Sequence, residues 1–175
     1  MKQQLKKKIV IAVVGDEITG KTGSICNLAK LIPLKGQKKI YPPKTVIRHE
    51  ATVYGTYSKL YDGTQARVGI TTFGDSISLL TTHFVPLIDT YNCDVVVVAC
   101  HNDEGQRNST LEFIRKKAAD FGYNLILTSV IHDDSAPKIS AKVRKSSGLG
   151  KVVVNGVVLN EIFAVNMINL INALV

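Results

Sequence analysis

The sequence contains no tryptophan, and aromatic residues make up only 6% of its 175 residues. Proteins that hold single-stranded nucleic acid commonly stack its bases on aromatic side chains. The composition therefore gives no indication of such a stacking surface. Arginines are also few and do not cluster, which counts against the arginine-rich lid expected of a small-molecule kinase. They are Arg48, Arg67, Arg107, Arg115 and Arg144.

Cysteine is scarce as well, with three residues, Cys26, Cys93 and Cys100. None of them forms a C-x-x-C pair, and no histidine stands at the spacing of a zinc ligand. The pattern excludes a disulfide framework and a standard zinc motif. We expect reduced, buried thiols in a cytoplasmic protein.

Long hydrophobic runs are missing too. No stretch of the sequence is long enough to span a bilayer as a helix. The lysine-rich start followed by residues 9–14 imitates a signal peptide, but the apolar run is too short and no small-residue cleavage site follows it. We therefore expect neither a membrane span nor a signal peptide.

Length and composition indicate one globular domain that spans residues 1–175, since hydrophobic residues make up 45% of the chain. The net charge is +8, and a basic balance favours polyanions such as nucleotides, nucleic acids or an acidic membrane surface. The alternative is a set of solvated surface lysines. Part of the basic charge is concentrated in three groups: Lys2, Lys6, Lys7 and Lys8; Lys35, Lys38, Lys39 and Lys44; Lys138, Lys142, Arg144, Lys145 and Lys151.

The most informative segment is residues 15–22, which read G-x-x-x-x-G-K-T. A run rich in β-branched residues, 8–14, precedes it and is typical of a strand buried on both faces. Residues 23–32 follow it with apolar side chains at helical spacing. Strand, glycine loop and helix form the context in which this motif binds phosphate.

Each part of the motif has a physical role in that interpretation. Glycine at 15 and 20 permits backbone conformations that a Cβ forbids, and the loop directs its N–H groups towards an anion. Lys21 would reach the β- and γ-phosphates, and the hydroxyl of Thr22 would bind Mg²⁺. The alternative is a glycine loop that binds nothing. The predicted nucleotide-binding residues are Gly15, Asp16, Glu17, Ile18, Thr19, Gly20, Lys21, Thr22 and Gly23.

At this motif the chain resembles the P-loop NTPase superfamily, over about the first 30 residues, with a looser pattern beyond them. The resemblance implies a three-layer α/β/α fold that binds ATP or another nucleoside triphosphate with Mg²⁺. It also makes a homodimer or a protein partner plausible, because such domains commonly pair to complete their sites.

The remaining sequence predicts alternating strands and helices. Runs 45–60 and 66–73 flank a turn at Asp62-Gly63 and predict an antiparallel edge hairpin, preceded by a loop over 33–43. Further predicted strands are 93–100, 124–131 and 151–158, the last with the alternative of a small hairpin about Asn155-Gly156. Predicted helices are 76–89, kinked or broken at Pro86; 108–121, capped by Asn108 or Ser109 and stopped by Gly122; and 159–174.

This order predicts an α/β sandwich of three layers around a mostly parallel sheet. Residues 133–150 are predicted to form a loop, with or without a short helix. Ligands of such folds bind at the carboxyl ends of the parallel strands. The candidate loops at that edge are 15–22, 73–76, 100–107 and 131–135.

Asp75 is the first candidate for the carboxylate that a P-loop enzyme needs to hold Mg²⁺ or order its water. Residues 70–74 resemble the strand-end D-x-x-G segment of GTPases, in which Gly74 fits the glycine while Thr71 stands at the aspartate position. The alternative role of Asp75-Ser76 is to cap a helix. The predicted catalytic residues are therefore Lys21 and Asp75, and the predicted metal ligands are Thr22 and Asp75.

Other polar residues follow predicted strands at the same edge. His101 is a candidate proton carrier or γ-phosphate sensor, and Asp103 or Glu104 is a candidate for positioning water. Arg107 is a candidate for stabilising transition-state charge, although shielding of the loop is the simpler role. Residues 132–134 either line a base pocket or end a strand, and Arg48, His49 and Glu50 are expected at the surface. The N-K-x-D motif that selects guanine is missing from residues 128–133, which favours ATP or an unselective site.

Three hypotheses follow. The first is an NTP-binding protein that hydrolyses ATP slowly or only when a partner completes its site. The second is a small-molecule kinase that uses the same loop, with Asp75 as the base. The third is a non-enzymatic, nucleotide-gated adaptor that binds protein, or nucleic acid through its basic faces, in which case DNA binding depends steeply on salt.

Overall fold

The computed structural model describes residues 8–15, 20–36, 38–41, 50–59, 62–129, 144–146, 149–151 and 156–175. The strands of this described part are β1 (Ile9–Val14), β2 (Lys38–Tyr41), β3 (Glu50–Ser58), β4 (Gln65–Thr71), β5 (Val95–Cys100), β6 (Asn124–Ser129), β7 (Arg144–Ser146) and β8 (Leu149–Lys151). The helices are α1 (Lys21–Leu31), α2 (Ile77–His83), α3 (Val85–Ile88), α4 (Thr110–Asp120) and α5 (Gly156–Leu174).

Six strands form one mixed sheet in the order β2-β3-β4-β5-β1-β6. Strand β1 pairs in parallel with both β5 and β6, and β4 pairs in parallel with β5. The pairs β2–β3 and β3–β4 are antiparallel. The α/β class with a parallel sheet and an antiparallel portion is therefore as predicted. The parallel strands β1, β4, β5 and β6 end at the same edge.

The hydrophobic core lies on both faces of this sheet because the parallel strands alternate their side chains between two layers of helices. Ile9, Ile11 and Val13 of β1 belong to a core with residues of α1 and α5. Val10, Ala12 and Val14 face the opposite way, into a core with residues of α2, α3 and α4. All six residues of β1 are buried, and so are all six of β5.

Two helix predictions hold in detail. The helix that contains Pro86 is broken: α2 ends at His83, and α3 begins at Val85, since proline at this point has no N–H for a helical hydrogen bond. Ser109 caps α4, and its hydroxyl accepts a hydrogen bond from the N–H of Glu112 at 3.1 Å. Gly122, just beyond the helix, has a left-handed φ of +73°, as a stop signal should.

Other predictions were wrong. Strand β2 lies within the predicted loop 33–43 and pairs outside β3, so the β3–β4 hairpin is not at the sheet edge. The predicted loop 133–150 contains β7 and most of β8. The predicted strand 151–158, or hairpin about Asn155-Gly156, is wrong for residues 156–158, since α5 begins at Gly156, whereas Lys151 ends β8 and residues 152–155 lie outside the described part. Strand β2 depends on its pairing with β3, which a weak local preference does not reveal.

The burial predicted for the cysteines is confirmed: Cys26, Cys93 and Cys100 are all buried, and none of them forms a disulfide. Burial raises the pKa of the Cys93 and Cys100 thiols to about 12, so both stay protonated at neutral pH. None of the helices in the described part of the chain has the length and apolar character needed to cross a membrane.

Candidate functional site

The candidate site lies where β1, β4 and β5 end, because each of these strands is followed by one of the loops predicted for the ligand edge. Strand β5 lies between β1 and β4 in the sheet. Two strand spacings, about 10 Å, therefore separate the motif strand from the strand that leads to Asp75. The fourth predicted loop, 131–135, lies outside the described residues.

The motif loop leaves the sheet at Gly15, which is buried and donates its N–H to the carbonyl of Cys100 at 3.3 Å. The loop re-enters regular structure at Gly20, whose φ of +82° and ψ of 12° place it in the left-handed region. Glycine adopts this conformation without the steric cost that a Cβ imposes. The intervening residues of the prediction, Asp16, Glu17, Ile18 and Thr19, lie outside the described residues.

Lys21 starts α1 and is only 6% exposed. Its Nζ donates a hydrogen bond to the carbonyl oxygen of Gly15 at 2.5 Å, so the ammonium reaches back across the mouth of the loop. A buried ammonium next to a backbone carbonyl is stabilised by an anion, because burial otherwise penalises its charge.

The first turn of α1 also suits an anion. Gly20 provides no side-chain cap, and the first turn contains no acidic residue, so no side chain of that turn neutralises the positive end of the helix dipole. Thr22 is half-buried and Gly23 is exposed in this turn. The predicted binding residues that the structure describes thus lie together at one helix N-terminus.

Asp75 is brought to this edge by its neighbour, Gly74, which lies against the backbone of β5. A Cβ added to Gly74 would stand 1.7 Å from the carbonyl oxygen of Ala99 and 2.4 Å from its carbonyl carbon. Only glycine fits there. The loop after β4 consequently crosses onto the end of β5. This crossing brings Asp75 closer to the motif loop after β1 than the strand order alone would allow.

Beyond this crossing, Asp75 meets His101, the first residue after β5. Asp75 Oδ1 lies 3.4 Å from His101 Nε2. The aspartate side chain is 57% exposed, whereas the histidine side chain is 22% exposed. Two residues that the sequence analysis considered separately therefore form one pair at the candidate site.

The capping role considered for Asp75-Ser76 belongs to the serine. Ser76 Oγ accepts a hydrogen bond from the N–H of Leu79 at 3.2 Å and so caps α2. The carboxylate of Asp75 therefore remains directed to its contact with His101 rather than to the helix.

Thr71, at the aspartate position of the D-x-x-G comparison, is fully buried. Its Oγ1 lies 3.0 Å from Thr52 Oγ1 and accepts a hydrogen bond from the N–H of Phe73 at 3.2 Å. Thr52 Oγ1 also lies 3.2 Å from Nδ1 of His83, whose ring stacks on Phe73 at 3.8 Å. Burial lowers the pKa of His83. Thr71 thus stabilises the structure beneath the loop that follows β4, and it supplies no carboxylate.

Asp103, considered for positioning water, is instead engaged in the fold. Its Oδ1 accepts hydrogen bonds from Ser109 Oγ at 2.8 Å and from the N–H of Leu111 at 3.2 Å. Its Oδ2 accepts from the N–H and the hydroxyl of Thr110, at 2.6 and 3.0 Å. Burial works towards a higher pKa, but these hydrogen bonds outweigh it and lower the pKa of Asp103.

Glu104 and Arg107, the other candidates in the loop after β5, make no recorded contact with Asp75 or His101. Glu104 forms an ion pair with Arg115 at 3.1 Å. Arg107 is exposed on the loop. Residues 132–134, Arg48 and His49 lie outside the described residues, and Glu50 is the first residue of β3. Within the part of the chain that the structure describes, no group of three or more His, Cys, Asp or Glu residues could hold a metal ion.

Sequence reasoning found most of this edge but missed how it is held together. The Gly74 contact had a signal, since a glycine directly after a strand indicates close backbone approach. No sequence signal indicated the His83–Thr52 contact, because it joins α2 to β3 across 31 positions of the chain.

A scan of the sequence against protein-family models gives no match, and a search among curated proteins finds no similar protein. What the site can do is therefore inferred from its own geometry.

Proposed function

We propose that this protein binds a nucleoside triphosphate at residues 15–23, with ATP favoured, and hydrolyses its γ-phosphate slowly or when a partner completes the site. The observation that carries the proposal is the position of Lys21. This residue is the first of α1, follows a glycine in the left-handed conformation, and donates a hydrogen bond from its buried ammonium to the carbonyl of Gly15. In a P-loop domain the lysine of this motif reaches the β- and γ-phosphates.

The residues present fit Mg²⁺ as it binds with nucleotides, through one or two protein oxygens in addition to phosphates and waters. Thr22 would supply a hydroxyl, and Asp75 a carboxylate that is largely exposed. The ion would neutralise charge that develops on the phosphates during transfer.

Several features support slow or partner-dependent turnover. Lys21 would stabilise charge on the transferring phosphoryl group, and Asp75 would organise the metal and its water. Thr71 cannot act as a carboxylate, and Asp103 already accepts four hydrogen bonds. Asp75 is thus the main acidic candidate among the described strand-end loops. The buried, reduced thiols suit a cytoplasmic setting.

Calorimetric titration with ATP, GTP and ADP, each with Mg²⁺, tests the proposal directly. We expect Lys21→Ala to weaken ATP binding at least about tenfold, because a charge-assisted hydrogen bond contributes roughly 1.5–3 kcal/mol. Lys30→Ala is the matched control: Lys30 is an exposed lysine in the last turn of the same helix. Wild-type protein that binds none of the three nucleotides at micromolar concentrations would refute the proposal.

The loss in Lys21→Ala must be separated from loss of folding, since Lys21 is buried. Thermal unfolding of both lysine variants provides that check. Thr22→Ala adds a second one, because it should weaken the Mg²⁺ dependence of ATP binding while leaving binding of metal-free nucleotide nearly unchanged.

A further inference from the structure

His101 has a defined orientation at the candidate site. Its Nε2 faces Oδ1 of Asp75 at 3.4 Å, and its backbone N–H donates to Thr110 Oγ1 at 3.0 Å. Asp103 in turn ties the start of α4 to the loop through its own four hydrogen bonds. Hydrogen bonds therefore fix the backbone of His101, and the carboxylate of Asp75 lies on one side of its imidazole ring.

The same histidine lies beside the first residue of the motif loop. In the parallel register Val14 pairs with Cys100, so Gly15 and His101 follow as the next neighbours. Adjacent strands are about 4.8 Å apart. Since Lys21 Nζ bonds to the carbonyl of Gly15, the backbone of His101 lies about one strand spacing from the atom that the ammonium contacts.

The side of the sheet is favourable as well. Ala99 packs in the core beneath α1, and strand alternation puts position 101 on that same side. A phosphate held by Lys21 at the start of α1 would therefore be within reach of the His101 ring. Nδ1 of that ring makes no hydrogen bond to any residue that the structure describes.

We propose that His101 is a phosphoryl acceptor, which receives the γ-phosphate of the bound nucleoside triphosphate as a phosphohistidine; this inference rests on the proposed function. The lone pair of Nδ1 attacks the γ-phosphorus and forms a P–N bond. The bond from that phosphorus to the β,γ-bridging oxygen breaks, and its electron pair leaves with the nucleoside diphosphate. No oxidant, reductant or further reactant is involved.

Asp75 is the positioning residue for this step. Its Oδ1 lies 3.4 Å from Nε2, so the carboxylate faces that nitrogen and Nδ1 remains the nitrogen that attacks the phosphorus. The same carboxylate stabilises the positive charge that the ring acquires when Nδ1 is phosphorylated. Water, or the hydroxyl of an acceptor, then attacks the phosphorus and loses its proton to solvent. The P–N bond breaks, and its electron pair returns to Nδ1, which restores the imidazole of His101.

A single-turnover experiment with ATP labelled at its γ-phosphate tests the inference. The reaction is stopped with alkali, because the P–N bond of a phosphohistidine survives base and hydrolyses in acid. We expect wild-type protein to retain label that acid releases, with the modified peptide containing residue 101. His101→Asn should retain at least about tenfold less, since it lacks the nucleophile. His83→Asn is the control, since an amide there can still bond to Thr52.

A second measurement detects the phosphohistidine even if it breaks down before the labelled protein can be isolated. A phosphohistidine that can return its phosphoryl group to a diphosphate catalyses exchange of labelled ADP into ATP. Wild-type protein should therefore show this exchange, and His101→Asn should not. Asp75→Asn should slow exchange while ATP affinity, measured without Mg²⁺, stays nearly constant.

The outcomes separate this inference from the proposed function. ATP binding and phosphate release without protein label or exchange would overturn the acceptor role and leave nucleotide hydrolysis in place. Label that persists in His101→Asn would likewise assign the acceptor to another residue. Failure of wild-type protein to bind nucleotide would overturn both proposals.

Discussion

Asp75 and Asp103 follow neighbouring strands at the same edge of the sheet, yet the fold holds them by opposite means. Asp103 is fixed by its own side chain, which accepts four hydrogen bonds from residues 109–111. Asp75 is placed by its neighbour Gly74, whose backbone packs on β5, and its carboxylate contacts His101. The oxygens of Asp75 therefore remain available to a ligand, because the backbone of its neighbour positions it. The oxygens of Asp103 are occupied by the hydrogen bonds that hold the loop to α4.

The largest effect should come from the residue that places Asp75. Gly74→Ala introduces a Cβ that would stand 1.7 Å from the carbonyl oxygen of Ala99, so the loop or the end of β5 must move. We expect the free energy of unfolding to fall by about 3 kcal/mol or more, at the upper end of overpacking effects. Urea denaturation measures this loss.

A glycine in open space gives the control for that substitution. A Cβ at Gly63 would have nothing within 4 Å, although its φ is +71°. Gly63→Ala should therefore cost only about 1 kcal/mol, the conformational cost of a left-handed residue. Equal losses in the two variants would mean that the contact of Gly74 with β5 does not hold the loop.

A smaller effect should distinguish the carboxylates themselves. Asp103→Asn replaces one accepting oxygen by an NH₂ group, which cannot accept the two hydrogen bonds that this oxygen received. We expect a loss of about 2 kcal/mol of stability. Asp75→Asn should change stability by no more than about 0.5 kcal/mol, since its side chain is 57% exposed, while it impairs phosphate release.

Denaturation and phosphate-release assays on the same two variants check this contrast. If Asp75→Asn lost stability as Asp103→Asn does, Asp75 would have a structural role that its exposed side chain does not suggest. If Asp103→Asn lost activity while remaining as stable as wild type, the assignment of Asp103 to the fold would be wrong.

The contrast also shows what the sequence could and could not predict. Continuous apolar strands such as β1 and β5, and the helix cap at Ser109, follow from local patterns, and all are present. Strand β2 was not predictable in this way, because Lys38–Tyr41 has no alternation and depends on pairing with β3. The strand predicted over residues 151–158 was wrong at its end, because residues 156–158 belong to α5.

At the candidate site the limits are similar. Strand ends predicted that Asp75, His101 and Asp103 share an edge, since parallel strands end together. They did not distinguish the roles of these residues, because those roles depend on contacts between loops. Asp103 accepts hydrogen bonds from the first turn of α4, several residues further along the chain. Asp75 contacts His101, which is 26 positions away in the sequence, through its Oδ1 and the Nε2 of the histidine.

The smallest effect concerns acid stability. Partial burial favours a raised pKa for Asp103, but its hydrogen bonds from Thr110, Ser109 and Leu111 prevail and lower it from 3.8. A carboxyl group whose pKa is lower in the folded state stabilises the fold fully above its unfolded pKa. That contribution is lost as the pH falls through the folded pKa. Wild-type stability should therefore decline below about pH 4 more steeply than that of Asp103→Asn.

Urea denaturation at a series of pH values from neutrality to acid measures this difference. The stability gap between wild type and Asp103→Asn should narrow as the pH falls, because the protonated aspartate and the asparagine each retain one accepting oxygen. Ser109→Ala should have an intermediate slope, since it removes one of the hydrogen bonds to the carboxylate at 2.8 Å and leaves the others. A gap that stays constant across the acid range would show that the hydrogen bonds of Asp103 do not favour its ionised form.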